Sequence, residues 1–412
     1  MPLRRSESVA SRRGSRRAGS SVGVVIIVLM SAPTLPGQET AADPMPRRLF
    51  LDEFRPQAQL QVERAAPRRS SVPCINMHTH PARLDDDAIR ALAGDMDATN
   101  VALSICLDGR AGLATTELID RLQKLAPDRY IVFARMDPVG DGDEDDPASW
   151  EIHRPDFGVR MADKLTESVR LGAAGLKLLK TLGLDWRDAD GKLIPPDDPR
   201  FDPVWQRAGE LGIPVLWHCA DPPAFFQPTN ERNERWEELY RHPDWSFYGG
   251  DYPTHQELID GQLRVVARHP ETTFICAHMA NLPSQLAKLG TYLDAYPNMY
   301  VETSARIAEL GRQPYTARKF FLQYADRILF GTDGPGTPDK LNPQFQFLET
   351  YDEYFPYVDD PGRFPPQGFW NIYGIGMPED VLEKVYFKNA LRLVPGARQK
   401  YAQRVRALQR RE

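Results

Sequence analysis

The sequence predicts an α/β fold in the form of a single (β/α)₈ TIM barrel, and three observations lead to this prediction. Eight short apolar segments, each typical of a buried strand, follow one another along the 412-residue chain, with helical patterns between them. Strands that alternate with helices pair in parallel through crossover connections, and eight such units over roughly 330 residues match a barrel with insertions. No Gly-rich phosphate-binding loop follows the first segment, which disfavours an open doubly wound sheet.

The predicted strands are short runs rich in Val, Ile, Leu, Met and Phe. In chain order they are CINMH (74–78), VALSIC (101–106), YIVFARM (130–136), AAGLKLL (173–179), IPVLWHC (213–219), TTFICAH (272–278), MYVETS (299–304) and RILFGTD (327–333). Helices are expected between them at 86–92, 114–125, 162–171, 203–211, 256–269, 282–296 and 307–324. A last helix at 378–393 would close the base of the barrel, and long loops are predicted after strands 5 and 8, at 220–253 and 334–376.

The N-terminal segment has the composition of an export signal. Residues 1–21 are rich in Arg and Ser, and the apolar stretch VGVVIIVLMSA (22–32) follows. This stretch is shorter than the roughly 20 residues of a membrane span. We therefore predict a signal peptide and leader over 1–37, a periplasmic or secreted protein, and no stable membrane insertion after cleavage. Three Arg pairs are compatible with twin-arginine export, and an uncleaved anchor is the alternative.

The remaining chain divides into three predicted parts. Residues 38–71 form an extended N-terminal arm and linker, 72–400 form the barrel, and 401–412 form a basic C-terminal tail. The formal net charge is −6, and residues 1–37 carry six Arg and one Glu, so cleavage near residue 37 leaves −11. Because nucleic acids are polyanions, a chain this acidic is not expected to bind them. The expected partner is a small-molecule substrate.

Titratable residues stand where several predicted strands end. In barrels of this kind the active site lies at the C-terminal ends of the strands. His78 and His80 are two residues apart, so on a strand they point to the same side. A lone His in a strand is more often a hydrogen-bonded core residue, but a convergent group favours a metal site. The other residues of this group are Lys177, His218, His278 and Asp333.

These strand-end motifs, taken in order, resemble those of the amidohydrolase superfamily. The matching segments are MHTH (77–80), GLKL (175–178), LWHC (216–219), CAHM (276–279) and FGTDG (330–334), and VYFKNALRL (385–393) is similar to the closing helix. The resemblance is greatest to the branch related to aminocarboxymuconate-semialdehyde decarboxylase. It implies that His78, His80, His218 and Asp333 bind a divalent metal, with zinc expected, and that His278 transfers protons beside it.

Lys177 leaves the number of metal ions open. In binuclear relatives a lysine on this strand is carboxylated and bridges two metals. Lys177 could instead bind a substrate carboxylate, and we expect one Zn²⁺ per chain. Three His and one carboxylate leave a position for water, and zinc lowers the pKa of that water from about 15.7 toward about 7. The expected activity is therefore attack by a zinc-bound hydroxide on an amide, ester or lactone, with Asp333 and His278 as catalytic residues.

The two long loops are rich in Phe, Tyr and Trp, with Arg and Asp between them. Such loops suit a small ring-containing or carboxylated substrate, although they could equally pack together or form a homo-oligomer interface. Arg306 could bind a substrate carboxylate or form a salt bridge at a helix start. Two other functions stay open: a lyase that removes CO₂ from an aromatic or unsaturated acid, and a non-catalytic barrel that binds a metal or sugar.

Overall fold

The computed structural model describes residues 47–50, 53–54, 56–358 and 367–410. The chain divides into two compact units, residues 1–55 and 56–412. In the first unit, Arg47 forms a salt bridge with Glu53 at 3.1 Å. The predicted signal peptide and leader, 1–37, lies outside the described residues. The second unit contains the strands and helices described below.

Parallel strands form the centre of this unit and confirm the predicted fold class. They are β1 (Cys74–Thr79), β2 (Val101–Cys106), β3 (Tyr130–Val132), β4 (Ala134–Arg135), β5 (Leu176–Leu178), β6 (Val215–Trp217), β7 (Phe274–Cys276), β8 (Met299–Glu302) and β9 (Ile328–Leu329). They pair in the orders β1-β2-β3 and β4-β5-β6-β7-β8-β9. The third predicted strand is thus interrupted at Phe133, whose N–H donates to the carbonyl of Cys106 at 2.9 Å. The N–H of Met77 in β1 donates to the carbonyl of Phe330 at 2.8 Å, so the chain after β9 lies beside β1.

Helices connect most of the successive strands. The longer ones are Asp86–Ala98, Ala114–Leu125, Phe157–Arg170, Asp202–Glu210, His255–Arg268, Leu286–Ala295, Pro314–Gln323, Pro338–Glu349 and Ala397–Gln409. Shorter helices are Thr181–Leu184, Trp236–Arg241 and Ile307–Leu310, and a final helix continues from Glu379–Glu383 through a π-helical turn, Lys384–Lys388, into Asn389–Leu393. Local capping sets some of these starts: the side chains of Thr254 and Glu257 form a capping box at His255–Arg268.

Apolar side chains pack in two layers. Inside the barrel lie Ile75, Leu103, Phe133, Leu216 and Ile275 with other strand residues, and Ala390 and Val394 of the last helices close this layer from below. Leu176, Val215 and Phe274, which alternate with the inward residues, pack against the surrounding helices. This alternation decides which strand residues face the barrel interior.

Besides the interrupted third strand, further predicted elements differ from the structure. The segment 334–376 is not a loop throughout, because Pro338–Glu349 is a helix even though Pro343 lies inside it. The predicted helix 307–324 is two helices, Ile307–Leu310 and Pro314–Gln323, since Pro314 cannot donate a backbone hydrogen bond and begins the second one. Most of the predicted tail, 401–412, lies in the helix Ala397–Gln409.

The segment before β1 is attached to the loop that follows helix Pro338–Glu349. Residues 56–73 contain neither helix nor strand. The backbone N–H groups of Ala65 and Ala66 donate to the carboxylate of Asp352 at 2.9 Å and 3.0 Å, and Arg64 donates to the carbonyl of Tyr354 at 2.7 Å. Among the described residues, no helix combines the length and the apolar composition that a membrane span requires.

Candidate metal centre

Two imidazoles and one carboxylate meet at the C-terminal ends of β1 and β9. His78 lies in β1 and His80 directly follows that strand, while Asp333 follows β9. The Nε2 atoms of His78 and His80 lie 3.8 Å and 3.7 Å from Oδ1 of Asp333. These three ligand atoms are close enough together to hold one metal ion.

The other ring nitrogens of His78 and His80 are each held by a carboxylate. His78 Nδ1 lies 3.0 Å from Oε1 of Glu302 in β8. His80 Nδ1 lies 2.6 Å from Oδ1 of Asp108, which follows β2. A carboxylate at Nδ1 places the proton there and leaves the Nε2 lone pair free. Both lone pairs are therefore available on the side of Asp333.

Glu302 is a fully buried carboxylate with several donors. Its Oε1 accepts hydrogen bonds from the backbone N–H of His278 at 2.9 Å and from Oγ of Ser304 at 2.6 Å, in addition to His78. Its Oε2 accepts from the backbone N–H of Ser304 at 2.6 Å. Burial alone would raise the pKa of Glu302, but His78 and these other donors hold it well below its usual value. Glu302 is therefore stabilised as a carboxylate, and its hydrogen bonds orient the segments that carry His78 and His278.

His278 and His218 complete the group of imidazoles. The ring centroids of His218 and His278 lie 4.3 Å apart, and those of His78 and His278 lie 5.0 Å apart. His278 Nε2 is 4.0 Å from Oδ2 of Asp333. Neither His218 Nε2 nor His278 Nε2 has a hydrogen-bond partner among the described residues, although both atoms are buried.

His278 opens a left-handed turn of four residues. The φ angles of His278, Met279, Ala280 and Asn281 are 59°, 55°, 52° and 55°. Left-handed backbone is unfavourable for residues other than Gly, so surrounding contacts must hold the turn. The carbonyl of Asn281 accepts from Nε2 of His255 at 3.1 Å, and its side-chain oxygen accepts from Arg306 Nη2 at 2.9 Å.

Comparison with known proteins identifies the family. A family model described as Amidohydrolase matches residues 75–396. The chain belongs to the amidohydrolase family. No curated protein matches the sequence significantly.

Several solved structures resemble this amidohydrolase at low sequence identity. An uncharacterized TIM-barrel protein from Bordetella bronchiseptica is 16% identical, with 80% of this chain and 99% of that chain covered and a TM-score of 0.45. The 5-carboxyvanillate decarboxylase from Sphingomonas paucimobilis is 15% identical, with coverage of 78% and 99% and a TM-score of 0.42. An amidohydrolase from Burkholderia multivorans with bound HEPES is 14% identical, with coverage of 80% and 99% and a TM-score of 0.43.

The side chains fit the divalent metal that amidohydrolases usually bind. Buried polar atoms nearly always have a partner, yet Nε2 of His218 and of His278 have none among the described residues. His78 and His80 direct their free nitrogens toward Asp333. The arrangement therefore supplies nitrogen and carboxylate ligands of the kind that zinc prefers.

The structure also places the other predicted site residues of the amidohydrolase. Lys177 in β5 is 1% exposed, and its Nζ has no hydrogen-bond partner among the described residues. Its pKa is lowered to about 8, chiefly by burial. Arg306 donates to the carbonyl of Ala305 and to Asn281 at 2.8 Å and 2.9 Å, so this guanidinium positions the left-handed turn.

Sequence reasoning missed the carboxylates behind the histidines. Glu302 lies inside a predicted strand, Asp108 follows another by two residues, and Asp221 follows His218 by three. Asp221 Oδ1 lies 3.4 Å from His218 Nε2, too misaligned for a hydrogen bond, and its Oδ2 is paired with Lys180. A search for Asp or Glu close to each His in the sequence would have found only Asp221, because Glu302 and Asp108 belong to strands without a His.

A cavity of about 410 Å³ opens beside Asp333. Residues after β6, β8 and β9 line it, which places it among the two long segments predicted to hold the substrate. Among its lining residues are Glu238, Trp245, Asp339, Gln344 and Tyr357. The cavity thus combines aromatic surface with hydrogen-bond acceptors next to Asp333, one of the candidate metal ligands.

Proposed function

We propose that this amidohydrolase is a metal-dependent hydrolase of an amide, ester or lactone in a small substrate. The observation that carries the proposal is the buried His278 imidazole, whose Nε2 has no hydrogen-bond partner among the described residues and lies 4.0 Å from Oδ2 of Asp333. Burial lowers the pKa of His278 well below its usual value, and the charges of His218 and Arg306 lower it further. Burial would raise the pKa of Asp333, but the surrounding imidazoles hold it below its usual range. At neutral pH both groups accept protons rather than donate them.

Hydrolysis needs proton acceptors at the moment when water attacks. His78, His80, His218 and Asp333 would hold the metal, and we propose one Zn²⁺ per chain. A bound zinc supplies Lewis acidity and lowers the pKa of a water molecule to about 7. Asp333 accepts the proton of the attacking water, and His278, whose Nε2 lies 4.0 Å from Asp333 Oδ2, carries that proton to the leaving group. Removal of CO₂ from a ring carbon would instead require the site to deliver a proton to carbon, with no water added to the product.

The cavity supports a small ring-containing substrate. Its volume of about 410 Å³ is within the range of small-molecule sites. Trp245 and Tyr357 offer ring surfaces, while Glu238 and Gln344 offer oxygen acceptors for substrate hydroxyl or amine groups. The composition of residues 1–37 supports a substrate met outside the cytoplasm.

Turnover in ¹⁸O-labelled water tests the reaction class. Hydrolysis adds one water across the scissile bond, so the label is expected in the carboxylate of the product. Asp333→Asn should abolish this incorporation because the proton acceptor is lost. Release of CO₂ with a label-free product that gains a proton on carbon would replace the hydrolase proposal with a decarboxylase.

A further inference from the structure

Two cations stand side by side inside the barrel, next to the metal centre. Arg135 at the end of β4 is paired in register with Lys177 of β5. Lys177 is in turn paired with Leu216, and Leu216 with Ile275, and both of these apolar residues face the barrel interior. Residues in register on neighbouring parallel strands project from the same face of the sheet. Arg135 and Lys177 therefore both project into the barrel.

Neither cation has a counter-ion in the part of the chain that the structure describes. Lys177 Nζ is buried without a hydrogen bond, and the Arg135 guanidinium forms no hydrogen bond or salt bridge there. Asp108, the acid that follows β2, is already engaged by His80 Nδ1 at 2.6 Å and by the backbone N–H of Ala82 at 3.0 Å.

Adjacent like charges on neighbouring strands are destabilising. The charges of Asp333 and Glu302 favour the Lys177 cation from a distance. Neither carboxylate forms a salt bridge with Lys177 or Arg135, so an added anion could still bind between the two cations.

The electrostatics of the surroundings favour an added anion. Partial burial lowers the pKa of Arg135, the charge of Asp108 opposes that shift, and the positive charges of Arg83 and Arg110 add to it. Arg83 and Arg110 are exposed on the loops after β1 and β2. The β1–β5 side of the barrel mouth is thus cationic, whereas Glu238 and Asp339 in the cavity beside Asp333 are acidic.

We propose that Arg135 and Lys177 bind a carboxylate of the substrate that is separate from the bond being cleaved. The guanidinium offers paired N–H donors for a carboxylate, and the ammonium adds a buried point charge. This assignment rests on the proposed hydrolase function, because it names the substrate class of the same site. The substrate is then a small carboxylated ester, amide or lactone whose other end faces the acidic cavity.

The main competing occupant is a carbamate formed on Lys177 itself. Addition of CO₂ to the Lys177 side chain forms one N–C bond, releases two protons from the ammonium group and converts the cation into an anion that Arg135 could bind. The ¹³C NMR spectrum of protein equilibrated with ¹³C-bicarbonate distinguishes the two. We expect no carbamate resonance, and a resonance that disappears in Lys177→Gln would overturn the proposal.

Two esters that differ by one carboxylate test the assignment by turnover. The probes are 4-nitrophenyl acetate and mono(4-nitrophenyl) glutarate, which share the leaving group and the scissile bond. In the metal-loaded enzyme, Arg135→Gln should lower the kcat/KM ratio of glutarate to acetate ester by roughly 10- to 100-fold, as expected when a charged hydrogen bond is lost. Arg135→Lys should restore part of the ratio.

The control removes the same charge at the other end of the barrel. Arg398 is exposed on helix Ala397–Gln409, whose Lys400 donates to the carbonyl of Tyr130 at the start of β3. Arg398→Gln should leave the ratio unchanged. If both esters are hydrolysed and Arg135→Gln does not alter their kcat/KM ratio, the anion site is wrong while the hydrolase proposal stands.

A binding measurement separates the failure of the two proposals. Isothermal titration of the metal-loaded protein with glutarate should show an affinity that Arg135→Gln weakens roughly 10-fold or more. If neither ester is cleaved but this difference persists, the hydrolase proposal is wrong and the anion site stands. In anion-free buffer the Tm of Arg135→Gln should be no lower than that of the wild type, because the substitution removes the repulsion between Arg135 and Lys177. A large fall in Tm would contradict this repulsion.

Discussion

Replacing Glu302 by Gln should weaken metal binding although Glu302 is not itself expected to be a ligand. Its Oε1 takes donors from His78, His278 and Ser304, and its Oε2 takes the backbone N–H of Ser304. The Gln side chain keeps the shape but offers only one oxygen. If that oxygen takes the place of Oε1, the amide NH₂ faces the Ser304 N–H, and two donors oppose each other. The negative charge that fixes the proton on His78 Nδ1 is also lost.

The magnitude follows from the role of Glu302 behind a histidine ligand. Loss of a carboxylate that orients a metal-binding imidazole typically weakens metal affinity by about 10- to 100-fold, which corresponds to about 1.4–2.7 kcal/mol. The opposed donors at Ser304 add a loss in the free energy of unfolding of about 1–3 kcal/mol. The two losses are measured separately, by metal affinity and by denaturant unfolding.

Competition with a chromogenic zinc chelator gives the Kd of each variant. Glu309→Gln is the matched control, because Glu309 is also a buried carboxylate but pairs with Arg235 Nη1 at 2.5 Å instead of with a histidine. We expect Glu309→Gln to lose stability with an unchanged Kd. If Glu302→Gln binds zinc as tightly as the wild type, or if both variants lose affinity equally, the orienting role of Glu302 is refuted.

Four further predictions concern the same site and the N-terminus. Asp108→Asn should weaken zinc binding about 10-fold in the same assay, because it frees His80 Nδ1. His218→Ala should abolish tight zinc binding, whereas His278→Ala should keep the metal and lose most activity, and metal analysis beside rate measurements checks both. Although burial alone would raise its pKa, His218 and Lys180 hold the pKa of Asp221 well below its usual value. Its ionisation therefore stabilises the folded protein above about pH 4, and this stabilisation is lost as the pH falls further. Below about pH 4 the free energy of unfolding should therefore fall less steeply in Asp221→Asn than in the wild type. N-terminal sequencing of the exported protein should give a mature start between about residues 30 and 45, and a full-length chain in the cytoplasm would contradict the export signal.

The site histidines could be predicted from the sequence because a polar, titratable side chain at the end of an apolar strand needs a partner. His78, His80 and Asp333 stand directly after apolar runs, and barrel geometry brings those ends together. Glu302 was missed since a single Glu in a short strand is compatible with a solvent-facing position, and only the three-dimensional neighbours show that it is fully buried. Asp108 was missed because Asp is common in loops, where its side chain hydrogen-bonds to nearby backbone groups.

Packing decides the remaining differences between prediction and structure. Helix Pro338–Glu349 was not predicted because it contains Pro343 and lies in an aromatic-rich segment that resembles a loop. Its side chains Leu341, Phe345 and Phe347 are nevertheless all buried by tertiary contacts. The interruption of the third strand at Phe133 likewise has no local signal. Phe133 is an ordinary strand residue, and the break depends on where its N–H finds an acceptor.

The left-handed turn at His278–Asn281 has a consequence for heat inactivation. Each of its four residues costs roughly 1 kcal/mol or more of backbone strain, and two hydrogen bonds, from His255 and Arg306 to Asn281, offset part of that cost. Those bonds join different segments, so a small local opening is enough to release the turn while the strands stay paired. The temperature at which the enzyme stops working and the temperature at which the barrel melts are then two separate properties, and a variant selected for a higher melting temperature need not remain active any longer.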